Sequence, residues 1–285
     1  MYSFSPLSNS TQEMHREADL LKLAFGNETL MTFDYLKWLY TLNPDGNAVG
    51  FNAIAKNGEL AAHYVTQPIK AILFGKETMG LLSLNTATHP AHRGKGLFTE
   101  LAKKTYEYAS SLGYQFVIGV ANQHSTHGFV KHLGFKMQGP LEAMIGIASA
   151  DYSDAVVKQD FARIWNRENL LWRLQNPAKR YELRKKNNFF GVYADSGKPF
   201  TNVLLGTFGN ALLPSTYSSS SFHEKFISLF IGTKSAMKWK SKILFKIPVK
   251  FRPSPLNLIF KDLSGTGRVP DMEKLIFSAI DFDAY

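Results

Sequence analysis

The segment that most constrains this chain lies a third of the way along it. Residues 81–88 form an apolar run with threonines, His89-Pro90 breaks it, and the turn Arg93-Gly94-Lys95-Gly96 follows. Apolar residues then recur at Leu97, Leu101, Tyr108 and Leu112, closed by Gly113. The pattern predicts a strand, a tight turn, and a helix over 97–112 stopped by the glycine. A strand delivered through glycines into a helix N-terminus suits an anion. First-turn N–H groups lack intrahelical partners, aligned peptide dipoles favour negative charge, and glycine lets an oxygen approach the backbone. Arg93 and Lys95 add positive charge. By itself a Gly-x-Gly turn before a helix is as often only a turn, and two other phosphate loops, Gly-x(4)-Gly-Lys-Ser/Thr and Gly-x-Gly-x-x-Gly, do not occur.

Around this segment the patterns alternate between periods. Ala18, Leu21 and Phe25, then Leu36, Leu39 and Leu42, predict two helices, the second ended by Asn43-Pro44. Residues 49–55 and 60–65 flank Asn57-Gly58 and read as a hairpin, with another strand at 69–74. After the central helix come a buried strand at 115–120, a short helix at 129–133 closed by Gly134-Phe135, and a strand at 143–148. The second half repeats the opening of the first. Leu36-Lys37-Trp38 before Asn43-Pro44 matches Leu170-Leu171-Trp172 before Asn176-Pro177, the tryptophans lying 134 residues apart. Duplication is therefore expected, with domains at 1–150 and 151–285. Further on, 201–208, 242–247, 256–261 and 275–280 read as strands and Ser218–Ser221 as a loop and cap. An amphipathic helix is expected from Phe222, with Phe226, Leu229, Phe230, Thr233 and Met237 as its core face or, with its lysines, as a membrane-facing one. The fold class is α/β (α+β): a mixed, largely antiparallel central sheet with flanking helices.

The absence of cysteine excludes disulfides and thiolate chemistry. No run approaches the roughly 20 apolar residues of a bilayer span, and residues 1–18 lack the apolar core of a secretory signal, so a cytoplasmic protein is expected. Charge is uneven: 12 Lys+Arg stand against 11 Asp+Glu in residues 1–150, but 21 against 12 in residues 151–285. The second half either faces something acidic or is a basic, inert surface. Signatures of aromatic-plus-basic nucleic-acid recognition are not evident, so no nucleic-acid partner is expected. His124-x-x-His127 has no acidic third ligand nearby in sequence, and no metal is expected.

The run from His89-Pro90 through Arg93-Gly94-Lys95-Gly96 to Phe98, followed by the strand at 115–120, Asn122 and Gly134-Phe135, resembles the GNAT superfamily of N-acetyltransferases. The resemblance spans about residues 10–148. It implies acetyl-CoA as cosubstrate, with Thr86, Ala87 and Thr88 pairing their backbone with the pantetheine arm. Backbone N–H groups of Arg93, Gly94, Lys95, Gly96, Leu97 and Phe98 would cradle the pyrophosphate. Asn122 would bond the pantetheine or cofactor end, and Ser125 and Phe129 would line the cofactor wall. It also implies that the strands at 81–88 and 115–120 splay to admit the thioester. The second half lacks this loop after its 201–208 strand and is expected to be a degenerate module that closes the acceptor cleft or selects substrate.

The chain departs from the family pattern in three places. Phe129 or Val130 stands where many members have a tyrosine acid, 81–88 holds no carboxylate base, and Phe98 replaces a small residue and is expected to narrow the loop exit. Neutralising a lysine-like amine at pH 7 costs roughly 4.6 kcal/mol, an α-amino-like group only about 1. A general base contributes about 3–5 kcal/mol. A site without an evident base therefore suits a weakly basic amine, with water or a histidine carrying the proton. His89 and His127 are the candidates, each otherwise a surface or hydrogen-bonded structural histidine. Tyr64 is either a core aromatic or part of an acceptor pocket. The expected activity is acetyl-CoA-dependent N-acetyl transfer to a small-molecule amine, amino sugar or amino acid. A non-catalytic CoA-binding module and a binder of acidic polymers are the alternatives.

Overall fold

A computed structural model of the chain describes residues 1–26, 30–150, 159–215, 225–236 and 239–282. In chain order the strands and longer helices are β1 (Tyr2–Pro6), α1 (Thr11–Phe25), α2 (Phe33–Thr41), β2 (Val49–Ala55), β3 (Leu60–Leu73), β4 (Lys76–Thr88), α3 (Leu97–Ser111), β5 (Phe116–Ala121), α4 (Gln123–His127), β6 (Lys136–Pro140) and β7 (Glu142–Ala150). There follow β8 (Phe161–Arg163), α5 (Arg167–Leu174), β9 (Tyr181–Lys185), β10 (Phe189–Asp195), β11 (Thr201–Gly209), β12 (Ile227–Gly232), β13 (Trp239–Lys246), β14 (Asn257–Asp262) and β15 (Leu275–Ile276). This is the expected mixed α/β class, built on two sheets.

The first sheet runs β1-β2-β3-β4-β5-β14-β6, with β8 on the far end of β3 and β15 beside β8; the second runs β13-β7-β12-β11-β10-β9. The ladders are antiparallel except for β4·β5 and the short β8·β15 in the first sheet and β11·β12 in the second. The halves exchange strands. β7 leaves its neighbour β6 to pair with β12 and β13, while β14 enters the first sheet between β5 and β6.

Alternation along the strands sets the layers. Leu81 and Val117 pack under α3 with Leu97, Leu101 and Ala102. Their neighbours Leu82 and Ile118 point the other way, into a core shared with Phe190, Val192, Val203 and Leu205 of the second sheet. α1 and α2 cover the rest of that face through Leu21, Leu36 and Leu39. The repeated tryptophans meet where α2 touches α5. Their rings stack at 4.7 Å and 12°, Trp38 Nε1 donates to Trp172 O (2.8 Å), and Trp172 Nε1 donates to Trp38 O (3.2 Å). The two segments also turn alike, with Asn43 and Asn176 side-chain oxygens accepting from the amide two residues on.

Several sequence expectations change. The strand at 69–74 is continuous with 60–65. Pro68 interrupts nothing because its carbonyl, bonded by Asn43 Nδ2, faces the gap between β2, which ends opposite Thr66, and β8, which begins opposite Ala71. The N-terminal β1, which pairs with β2, has no strong periodicity of its own. The helix expected from Phe222 is strand β12 over its described part, residues 222–224 lying outside the described residues. Leu229 and Ile231 alternate with Ser228 and Phe230, and parallel pairing with β11 outweighs an equally compatible helical spacing. The serine run Ser218–Ser221 also lies outside the described residues. Of 275–280, only Leu275–Ile276 is strand.

Candidate functional site

The pairing of β4 with β5 is confined to Leu81–Ser83 against Val117–Gly119, yet β4 continues to Thr88 and β5 to Ala121. The two strands therefore part after Ser83. A bulge helps to open them: the β3·β4 register shifts between His63 and Val65, and Asn85 sits there at φ 43°, a left-handed conformation that asparagine tolerates better than most residues. His89 N–H donates to Ala61 O on β3, so two-residue alternation points Ala87 N–H the same way and turns Thr88 N–H toward the opened side. Of these two N–H groups, that of Thr88 faces the gap.

At the end of β4 a short turn, Pro90–His92, leads into the glycine segment. Gly94 and Gly96 have φ of 73° and 74°, and a Cβ built on either meets nothing within 4 Å. Left-handed backbone explains the glycines, and the open space over them leaves the turn accessible. Gly96 caps α3 without a side-chain hydrogen bond, so no side chain claims the first-turn N–H groups. Arg93, Gly94, Lys95 and Gly96 are exposed. These residues fit a diphosphate: backbone amides and a helix dipole face open space, with the exposed Arg93 and Lys95 in the same turn.

Other residues implied by the resemblance sit differently. Phe98 turns inward against Tyr64 and Phe129, its ring 5.1 Å from that of Phe129, and so does not narrow the loop exit. Phe129 is 6% exposed and belongs to the core beneath α3 rather than to an open wall. Asn122 and Ser125 form a capping box at the start of α4, where Asn122 Oδ1 accepts from the His124 and Ser125 amides. Helix capping thus uses the oxygen of Asn122, leaving its amide nitrogen as the half of the side chain that suits a ligand carbonyl. Tyr64 is fully buried, its hydroxyl bonded to Ser83 and Tyr106, and lines no open pocket. His127 is exposed and meets His132 edge-on.

His89 is engaged. Its Nδ1 accepts from Ala91 N–H (3.2 Å), which places its proton on Nε2, 3.4 Å from Glu59 Oε1. His92 takes the other oxygen, with Nε2 3.1 Å from Glu59 Oε2 and Nδ1 receiving the Tyr2 hydroxyl at 2.8 Å. The hydrogen bond from His92 holds the Glu59 carboxyl below its ordinary range. Sequence reading missed Glu59, whose ligand-capable atom lies within 4.8 Å of those of both histidines. The trio does not suit a cation. Metal on His89 Nε2 would require a proton on Nδ1, which already faces the Ala91 N–H. It fastens the hairpin turn and β1 to the root of the loop.

Behind the bulge runs a buried polar chain. Asn85 Nδ2 approaches the Tyr40 hydroxyl (3.5 Å), Tyr40 bonds His63 Nε2 (2.9 Å), His63 Nδ1 bonds Asn52 Oδ1 (2.7 Å), and Asn52 Nδ2 donates to Glu17 Oε1 (2.8 Å). Since Asn52 Oδ1 only accepts, His63 carries its proton on Nδ1 and Tyr40 donates to Nε2. Burial pushes the Glu17 carboxyl up to about 7 and the His63 imidazole down to about 3. The groups facing Glu17 are Glu13 and Arg16 on its own helix, Asn52 on β2, His63 on β3 and Tyr40 on α2. A carboxyl with a raised pKa holds its proton more firmly when folded, so its contribution to stability falls as pH rises from 4.5 to about 7. His63 has the opposite sign, its stability being lost as pH drops below 6.5 toward 3. Glu17→Gln keeps an acceptor for Asn52 and removes the charge. It is expected to stabilise the protein at pH 8 by up to about 3 kcal/mol and by little at pH 4. Melts across that range check this, and an equal shift at both ends would refute it.

The second sheet opens in the same way. β11 and β12 pair only over Thr201–Leu204 and Ile227–Phe230. Here, however, the chain fills its own gap: Ala279 N–H donates to Ile231 O and Ile280 N–H to Leu205 O.

A sheet opened between two parallel strands, with an uncapped helix behind a left-handed glycine turn, is the arrangement that the resemblance to the GNAT superfamily implied. The family model described as acetyltransferase (GNAT) domain matches residues 8–137. A GCN5-related N-acetyltransferase from Kribbella flavida is similar in structure at 11% identity and TM-score 0.60, over 92% of this chain and 72% of that one. A probable N-acyltransferase from Enterococcus faecalis gives 12%, 0.57, 93% and 73%. N-myristoyltransferase of Saccharomyces cerevisiae, solved with bound myristoyl-CoA, gives 9%, 0.50, 74% and 63%. At such identities the likeness is one of fold. No curated protein matches in sequence. Among the described residues no helix is long and apolar enough to cross a membrane.

Proposed function

We propose that the chain transfers an acetyl group from acetyl-CoA to the amine of a small molecule, amino sugar or amino acid by direct attack on the thioester. The observation that carries this reading is the unfilled glycine turn at the uncapped start of α3, set beside the parting of β4 from β5. When bound, acetyl-CoA supplies an activated acyl group. Gly94 to Phe98 hold its diphosphate by backbone N–H, Arg93 and Lys95 neutralise charge, and the free edge of β4 at Thr86–Thr88 pairs with its pantetheine arm. Thr88 N–H steadies the negative charge that develops on the carbonyl oxygen as the amine attacks. The related yeast fold with bound myristoyl-CoA supports a CoA thioester in a chain of this architecture.

The two halves are read as tandem modules, 1–150 and 151–285, that have exchanged β7 and β14. The reciprocal tryptophan pair and the matching strand orders support this. The second module takes no cofactor because Ala279 and Ile280 occupy its opening, and its basic excess favours an anionic acceptor. Calorimetry with acetyl-CoA is expected to give one equivalent per chain, weakened at least tenfold in an Arg93→Ala/Lys95→Ala double variant. Thiol release against an amine panel tests turnover. Binding without turnover favours a regulatory CoA module, and two equivalents would overturn the account of the second half.

A further inference from the structure

Residues 226–261 hold eight Lys+Arg and no Asp or Glu, which is nearly all of the basic excess of the second half. The acyl-transfer site makes no use of this segment. We propose that the exposed surface at the end of β13 and in the turn after it docks the protein on an anionic lipid bilayer. This goes beyond the acyl-transfer reading and does not depend on it.

An overhanging sheet face builds the surface. β13 is the outer strand of the second sheet and pairs with β7 alone among the described residues. Ile243 lies opposite Ile147 and Phe245 opposite Ile145, so alternation places the four on one face. Ile247, next in that alternation, packs against the core shared by the two sheets. Outward from it the cover ends: Phe245 is 65% exposed, Ile243 53% and Ile147 51%. The turn Val249–Phe251 adds two more apolar side chains, Val249 at 40% and Phe251 at 70%. Arg252 holds this turn in place by donating to the carbonyls of Ile247 and Leu141.

Cations accompany these side chains. Lys250 is exposed, its ammonium 4.9 Å from the centre of the Phe251 ring. Lys246 is exposed and pairs with Glu142 at 2.8 Å, a surface ion pair of the kind that contributes little and that a phosphate can replace. Lys238, Lys240 and Lys242 add charge in the same stretch of sequence. Exposed apolar side chains rimmed by charge mark an interaction surface. The combination matches a bilayer interface, where rings and aliphatic groups enter the acyl boundary while lysine stems reach back to the phosphates. Other occupants fit less well. A second copy paired edge to edge would set the lysines of β13 against like charges. A nucleic acid would meet isoleucine and valine where its bases need planar groups to stack on.

The test is co-sedimentation of the full chain with vesicles of mixed phosphatidylglycerol and phosphatidylcholine, beside vesicles of phosphatidylcholine alone. The wild-type protein is expected to bind the anionic vesicles, to ignore the neutral ones, and to be released by high salt. The Phe245→Ser/Phe251→Ser double variant and Lys250→Glu are each expected to weaken binding about tenfold or more. Their thermal midpoints should stay near wild type, because these side chains are exposed. Lys103→Glu, the same charge change on an exposed residue of α3, is expected to bind as wild type does. Wild-type protein that stays in solution with anionic vesicles overturns the proposal, as does binding that either surface variant leaves unweakened. A loss in Lys103→Glu equal to that in Lys250→Glu would reveal only diffuse charge attraction and overturns it too. Binding to soluble polyglutamate without binding to vesicles assigns the surface to an acidic chain instead. No step of the test needs acetyl transfer, so its failure leaves the proposed function standing.

Discussion

Gly96→Val is expected to cost at least 100-fold in acetyl-CoA affinity while the protein stays folded. Gly96 lies at φ 74°, where an L-residue pays about 1–2 kcal/mol and a β-branched one more. That strain alone lowers the melting temperature of a chain this size by only a few degrees. The larger effect is local. Nothing in the protein lies within 4 Å of a Cβ at this position, so the new side chain occupies space that the fold leaves empty and that a diphosphate would enter. Two charge-assisted hydrogen bonds lost there, each about 1.5–3 kcal/mol, account for the 100-fold. Gly75, in the turn between β3 and β4 at the opposite end of β4, supplies the control. Its φ is 80° and a Cβ on it also meets nothing within 4 Å. Gly75→Val therefore carries comparable strain and no binding effect. Equal acetyl-CoA affinity in the two variants, measured by calorimetry, would show that the turn does not hold the cosubstrate.

What could be read from the sequence was local. The 97–112 helix, its glycine stop and the turn before it depend on residues within a dozen positions of one another, and the structure has them nearly in place. The strand exchange was not legible, because the period-2 patterns of β7 and β14 say which face is buried but not which sheet they join. Partners lie far apart in sequence: Leu258 pairs with Val120, and Leu229 with Ile145. The engagement of His89 was hidden for the same reason, since Glu59 sits in a different hairpin turn. The buried polar chain from Tyr40 to Glu17 left a readable trace. A two-residue turn at Asn57-Gly58 places Asn52 opposite His63, and two polar residues facing each other inside apolar strands need a partner. Glu17 was harder to see, because a glutamate among the polar residues of an amphipathic helix resembles any solvated one until the sheet is laid against it.

Trp172→Ala is expected to lower the melting temperature by roughly 10–15 °C. Removing a buried tryptophan costs about 3–5 kcal/mol. It also strips Trp38 O of its donor, adding about 1–3 kcal/mol for a buried carbonyl left unpaired. In a chain of this length each kcal/mol is worth about 2–4 °C. The position matters as much as the volume. Trp172 is 6% exposed, stacks on Trp38 at 4.7 Å, and lies where α5 of one half meets α2 of the other. Trp38→Ala should cost a similar amount, since it loses the same stack and the reciprocal bond to Trp172 O. The double variant should cost much less than the sum, because both changes remove one shared interaction. Trp172→Phe, which keeps an aromatic ring and loses only the donor, should fall between. Because β7 and β14 each bind a half to the other's sheet, the weakened protein should still melt in one transition. A split into two transitions, or a shift under 3 °C, would mean that the halves are held together elsewhere than at this pair.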